Sequence, residues 1–174
     1  MMAVIGTRWD KARPVIFSRR FLGGVAAVFL LWCAVVLILS KYVEIGANRT
    51  ASLPGYYYLV LKYNLPERGD LIAFRLPPGN RYYPDGILWV KVVGGVAGDL
   101  VNQYQGNYYV NGVFQGYAKP LSLQGDPLAP GPVGIIPAGH YYVHTPHQDS
   151  YDSRYQDIGW IPPAAVVGSA YRIF

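Results

Sequence analysis

Apolar positions along this chain fall into two regimes. Residues 21–39 carry no charge, a run of about nineteen residues that can cross a hydrocarbon core of roughly 30 Å as a helix. Ser40 and Lys41 end it. Beyond them no long stretch keeps a 3.6-residue period. Short runs rich in β-branched and aromatic residues recur instead, bounded by Gly, Pro, Asn and Asp, at 56–62, 71–74, 87–93, 100–103, 108–110, 113–114, 140–144 and 166–173. That punctuation predicts strands and turns. Asn111-Gly112 between two apolar pairs predicts a type I′ hairpin, since both residues tolerate positive φ. Residues 117–139, rich in Pro, Gly and Leu, read as a long surface excursion. The expected architecture is mainly β, a barrel-like or multi-sheet body preceded by one transmembrane helix.

Charge changes the picture by where it sits. Arg8, Lys11, Arg13, Arg19 and Arg20 against Asp10 put most of the net +5 into the first twenty residues, and the rest is nearly neutral. No basic face is left for a phosphate backbone, so no nucleic-acid partner is expected. A cleavable signal peptide competes with a retained anchor for the apolar run. Its core should span only about 7–15 residues before a small-x-small site, and neither condition is well met. The basic arm favours a cytoplasmic N-terminus. The expected organisation is therefore a basic cytoplasmic arm at 1–20, an anchor at 21–40 and, in a bacterium, a periplasmic domain at 41–174. Cys33 stands alone and forms no internal disulfide.

Two local features carry candidate chemistry. In 48–58, Thr50 and Ser52 precede Pro54-Gly55, a pair that fixes a defined turn ahead of a tyrosine-rich strand. Such a turn can expose a serine hydroxyl, or it can be an ordinary surface turn. In 87–93, Lys91 is the one charge in an apolar strand. It could guard an edge or snorkel to water. It could also be desolvated, with its pKa lowered until a neutral amine is available to take a serine proton. His140, His144 and His147 lack the acidic or thiol company of a metal site, and no metal or other cofactor is expected. Gly94-Gly95-Val96-Ala97-Gly98 has no helical pattern after it, which argues against a dinucleotide loop.

Four segments then occur in order: Asn48-x-Thr50-x-Ser52-x-Pro54, then Arg68-Gly69-Asp70 before an apolar strand. Lys91-Val92-Val93-Gly94 with Gly98-Asp99 follows, and Ser150-Tyr151-Asp152-Ser153-Arg154-Tyr155 closes the series. Together they resemble the boxes of the type I signal peptidases, membrane-anchored Ser/Lys leader peptidases, and look most like the short TraF-type branch of conjugative-transfer systems. The resemblance implies a signal-peptidase-like multi-sheet β fold. It implies Ser52 as nucleophile, Lys91 as general base and Thr50 as an oxyanion donor. Ser150 would orient the lysine, and Asp152 and Arg154 would form a supporting ion pair.

The implied activity is a serine endopeptidase of the bacterial inner membrane that trims an exported precursor. A conjugative pilin is the leading substrate, with cyclisation through the acyl-enzyme as one fate of the intermediate. A general signal peptidase and a non-catalytic, membrane-tethered β domain of a secretion or pilus apparatus are the alternatives. The chain departs from the general enzymes at 144–149, where they carry a glycine-aspartate-asparagine stretch, and at Val92, where an arginine is common. It also runs about two residues longer between Tyr155 and Gly159. Twelve residues from Ser40 to Ser52 reach at most roughly 40 Å, which would keep the site near the lipid bilayer.

Overall fold

The computed structural model of the chain describes residues 18–47, 52–76 and 78–174. One helix, α1 (Arg19–Tyr42), is followed by ten strands: β1 (Val43–Ala47), β2 (Tyr57–Lys62), β3 (Leu71–Arg75), β4 (Leu88–Gly95), β5 (Leu100–Tyr104), β6 (Asn107–Val110), β7 (Val113–Tyr117), β8 (Gly134–Ile135), β9 (Tyr142–His144) and β10 (Val166–Arg172). The chain separates into two compact units, with the boundary between Leu39 and Ser40. Helix α1 buries none of its residues and is long and apolar enough to cross a membrane. A helix apolar all round needs an apolar surrounding, which fits a single-pass membrane protein.

The strands form two antiparallel sheets, one of six strands in the order β1-β2-β10-β3-β4-β9 and one of four in the order β7-β6-β5-β8. The body is thus a multi-sheet fold whose two sheets stay open. In the large sheet β10 lies between β2 and β3 and pairs with both. Strand β3 is buried on both faces, which is why it reads as a continuous apolar run without alternation. On one face Ile72, Phe74, Val93 and Val143 pack with Ile158 and Ile161. On the other, Leu53, Tyr58, Val60, Ala73 and Ala170 form a second cluster, with Val90 and Val92 packed against it. A third cluster, including Val101, Tyr108 and Val110, gathers the small sheet around Ile136 and Tyr142.

Each expected strand is present, with ends displaced by a few residues. Asn111 and Gly112 take φ of 48° and 80°, as a type I′ turn between β6 and β7 requires. Two elements go beyond expectation. Strand β1 follows α1 without a break and pairs along all of its length with β2. Residues 117–139 are stitched down rather than free: Gly134–Ile135 adds β8 to the small sheet, and Gly131 N–H donates to Arg154 O at 2.7 Å.

Candidate active site

Lys91 lies on β4, an interior strand flanked by β3 and β9, and pairs with Ile72. It is 4% exposed. An edge guard or a snorkelling lysine would reach water, so both ordinary explanations fail. Nζ donates to Ser150 Oγ at 2.8 Å and sits 5.6 Å from the centre of the Trp89 ring, two residues back on the same strand face. Among the described residues no carboxylate pairs with it. Burial, which penalises the charged form, lowers its pKa; the charge of Asp152 opposes that and the charge of Arg154 adds to it, leaving a value of about 8. The arrangement thus holds an amine that loses its proton near neutrality.

Residues 150–154 form the wall that Lys91 meets. Arg154 grips Asp152 with two parallel bonds, Nε to Oδ1 and Nη2 to Oδ2, both 2.8 Å. Its remaining donors reach Ser150 O and Tyr117 O, each at 3.0 Å. Both partners are buried, so every donor and acceptor of the pair must be answered inside the protein. Gly116 on β7 makes room, because a Cβ there would collide with Arg154 Nη1. Ser153 ties the segment to β9: its Oγ accepts from Val143 N–H at 2.9 Å and its N–H donates to Val143 O at 3.1 Å. Thr145 N–H adds a bond to Asp152 Oδ2 at 3.3 Å. Ser150 is therefore held from both sides, by the Arg154 bond to its carbonyl and by its own N–H bond to His147 O.

Ser52 stands on the turn ahead of β2 and is half-buried. Gly55 takes φ 98°, and a Cβ there would run into Phe174 O, so only glycine fits. Tyr58 Oη donates to Pro54 O, and Tyr56 N–H donates to Phe174 O at 2.6 Å. Leu53 anchors the turn in the cluster that also receives Val90 and Val92, the two neighbours of Lys91. The structure thus brings Lys91, Ser150, Asp152 and Arg154 into one bonded group. The Ser52 turn packs through Leu53 on the other face of β4, among Val90 and Val92, and the hydrogen bond of the amine goes to Ser150 rather than to Ser52. Thr50 lies outside the described residues.

Three features near the site had little or no signal in the sequence. Trp89 lies beside the amine, as its position two residues before Lys91 on one strand allows. His144 faces Val92 across β4 and β9, and burial holds its imidazole below the usual histidine value. The third joins two of the boxes. Asp99 Oδ1 accepts from Arg68 Nη2 at 2.5 Å and from Asn111 Nδ2 at 2.8 Å, and Asp99 Oδ2 accepts from Val96 N–H at 2.8 Å. Gly69 N–H and Asp70 O both bond to Val93, two residues beyond the amine. The Arg68-Gly69-Asp70 and Gly98-Asp99 segments therefore brace the end of β4. Among the described residues, no group of three or more His, Cys, Asp or Glu converges as a metal site would need.

Residues 18–174 match the family model for signal peptidase, peptidase S26. The conjugal transfer protein TraF of Agrobacterium fabrum (strain C58) is 29% identical over 172 residues, spanning 89% of this chain and 94% of that protein. A probable conjugal transfer protein TraF of Sinorhizobium fredii (strain NGR234) is 42% identical over 148 residues, 72% of this chain and 74% of its own.

Proposed function

The chain belongs to the signal peptidase S26 family and is TraF-like within it, and from that premise we propose that it is a membrane-anchored Ser/Lys endopeptidase that matures a conjugative pilin precursor. The observation that carries this reading is the buried Lys91 amine, bonded to Ser150 and paired with no carboxylate among the described residues. A lysine kept for structure would be given a counter-ion, as Arg154 is. An amine held dry and close to its pKa is suited to moving a proton.

In the proposed sequence, neutral Lys91 takes the Ser52 hydroxyl proton as Ser52 Oγ attacks the scissile carbonyl. The oxyanion is held by Ser52 N–H and the Thr50 hydroxyl, an interaction whose loss typically costs about 3–4 kcal/mol of transition-state stabilisation. The Lys91 ammonium then delivers its proton to the departing amine, leaving an acyl-enzyme on Ser52. Water resolves it to a trimmed product, or the substrate's own N-terminal amine attacks it and closes a ring. Ser150 orients the amine, and Asp152 with Arg154 fixes Ser150. Resting enzymes often hold the nucleophile and base beyond bonding distance until substrate binds, so the Ser150-directed amine is compatible with this role.

The names of both relatives tie them to conjugal transfer, which favours a dedicated precursor over bulk secretion. We assign residues 1–20 to the cytoplasm, 21–40 to the inner membrane and 41–174 to the periplasm, where a membrane-inserted precursor would present its cleavage site. Co-expression with a candidate pilin tests the reading. Ser52→Ala and Lys91→Ala should each lower processing at least about a thousandfold while the protein still folds and inserts. Processing at the wild-type rate in both would leave a non-catalytic tethered domain. Mass spectrometry of the product separates the fates of the acyl-enzyme, since a ring is one water lighter than the trimmed linear chain. Rescue of secretion in cells depleted of their own leader peptidase would point to the general enzyme instead.

A further inference from the structure

Thr145 is 1% exposed, and among the described residues its hydroxyl has no hydrogen-bond partner. A buried hydroxyl left unanswered costs stability, so its presence calls for a partner that is not engaged in this state. The strand register supplies one. Strand β9 pairs with β4 through Val93↔Val143 and Val92↔His144. Thr145 directly follows the last residue of β9; extended by one residue, this register would set it opposite Lys91 and on the same face, where directly opposed side chains lie about 5 Å apart at Cβ. Thr145 N–H is also bonded to Asp152, on the segment that carries Ser150.

The bonding capacity of the amine indicates what the hydroxyl is for. A neutral lysine amine has two N–H groups and one lone pair, and its ammonium form has three N–H groups. Under the Ser52–Lys91 reading, on which this inference rests, the lone pair faces the Ser52 hydroxyl. After proton transfer the new N–H points toward the departing nitrogen. The other two N–H groups need acceptors within the buried pocket. Ser150 Oγ is one, at 2.8 Å. The titratable and charged groups around the amine are Asp152 and Arg154 on the wall and His144 on β9. Of these Asp152 is engaged by Arg154, and His144 lies on the opposite face of β9 from Thr145.

We propose that Thr145 is a second positioning residue for the Lys91 amine, its Oγ1 accepting an N–H of the ammonium beside Ser150. Rotation about χ1 brings the oxygen to the amine when the proton arrives, and Thr145 neither gives nor takes a proton itself. Two hydroxyls then fix two of the three N–H directions, which leaves the third, carrying the Ser52 proton, aimed at the substrate.

The test reads the amine directly. In full-length protein carrying Ser52→Ala, the 13Cε resonance of Lys91, assigned by its loss in Lys91→Met, is titrated with pH. An acceptor bonds the ammonium more strongly than the amine, so Thr145→Val should move the titration of Lys91 to lower pH by about one unit. Thr145→Ser should restore it. A purely structural threonine would leave the midpoint in place in Thr145→Val, and that result overturns the proposal, as would a shift that Thr145→Ser fails to reverse. Thr145→Ala offers a second variant without the hydroxyl should valine prevent folding. Failure of the underlying reading shows elsewhere: Lys91→Ala would still process the precursor, whatever the titration reports.

Discussion

Around Lys91 and around Arg154 the protein buries a cation twice, with different surroundings each time. Arg154 is 1% exposed and is met by a fully buried carboxylate and two backbone carbonyls. Lys91 is nearly as buried and is met by one hydroxyl and the ring of Trp89. The first arrangement keeps its charge and holds a segment in place. The second makes the charge expensive and so lets the proton leave. A buried ion pair with its bonds filled is a structural device, and a buried cation without a counter-ion is a chemical one.

Breaking the first arrangement should have the largest effect. Arg154→Met strands the Asp152 carboxylate in the interior and should destabilise the domain by about 3–5 kcal/mol, read from denaturant unfolding. Wild-type stability in that variant would mean that the pair contributes nothing to the wall. Lys91→Met should act in the opposite direction. Because the folded state lowers the Lys91 pKa from 10.5 to about 8, the folded protein holds fewer protons than the unfolded one between those values, and its stability rises with pH across that window. Below pH 8 the charged amine carries the full penalty, so removing it should stabilise the domain by ~3 kcal/mol at pH 7, with the gain fading toward pH 10.5. An equal or lower melting temperature for Lys91→Met at pH 7 would place Lys91 in the same class as Arg154. Ser150→Ala should be the mildest: a roughly tenfold loss of processing rate with the fold intact, as the amine loses one of its two guides. An unchanged rate would remove Ser150 from the machinery.

The contrast between the two cations was only partly legible in the sequence. Lys91 announced itself, because one charge inside an apolar strand has few explanations. The strands of the body were legible from their punctuation, and the Asn111-Gly112 turn from its residues alone. Local pattern could not show that Lys91 meets a hydroxyl 59 positions later; that expectation rested on family resemblance. Nor could it show β10 inserted between β2 and β3, since strand order is set by long-range packing. Strand β1 was hidden by the helix it follows, where five residues are too few for alternation to stand out. Thr145 carried no signal of its own in the 144–149 stretch, and its burial is apparent only in the folded structure.

The pH dependence of precursor cleavage tests the central claim most directly. If Lys91 must be neutral to take the Ser52 proton, kcat/KM should rise with pH along an acid limb with its midpoint near 8. A limb centred near the ordinary histidine value of about 6.5 would assign the base to a histidine. A rate that stays level from about pH 6 to 10 would contradict the account outright, since an amine titrating in that range could not then be the group that accepts the proton.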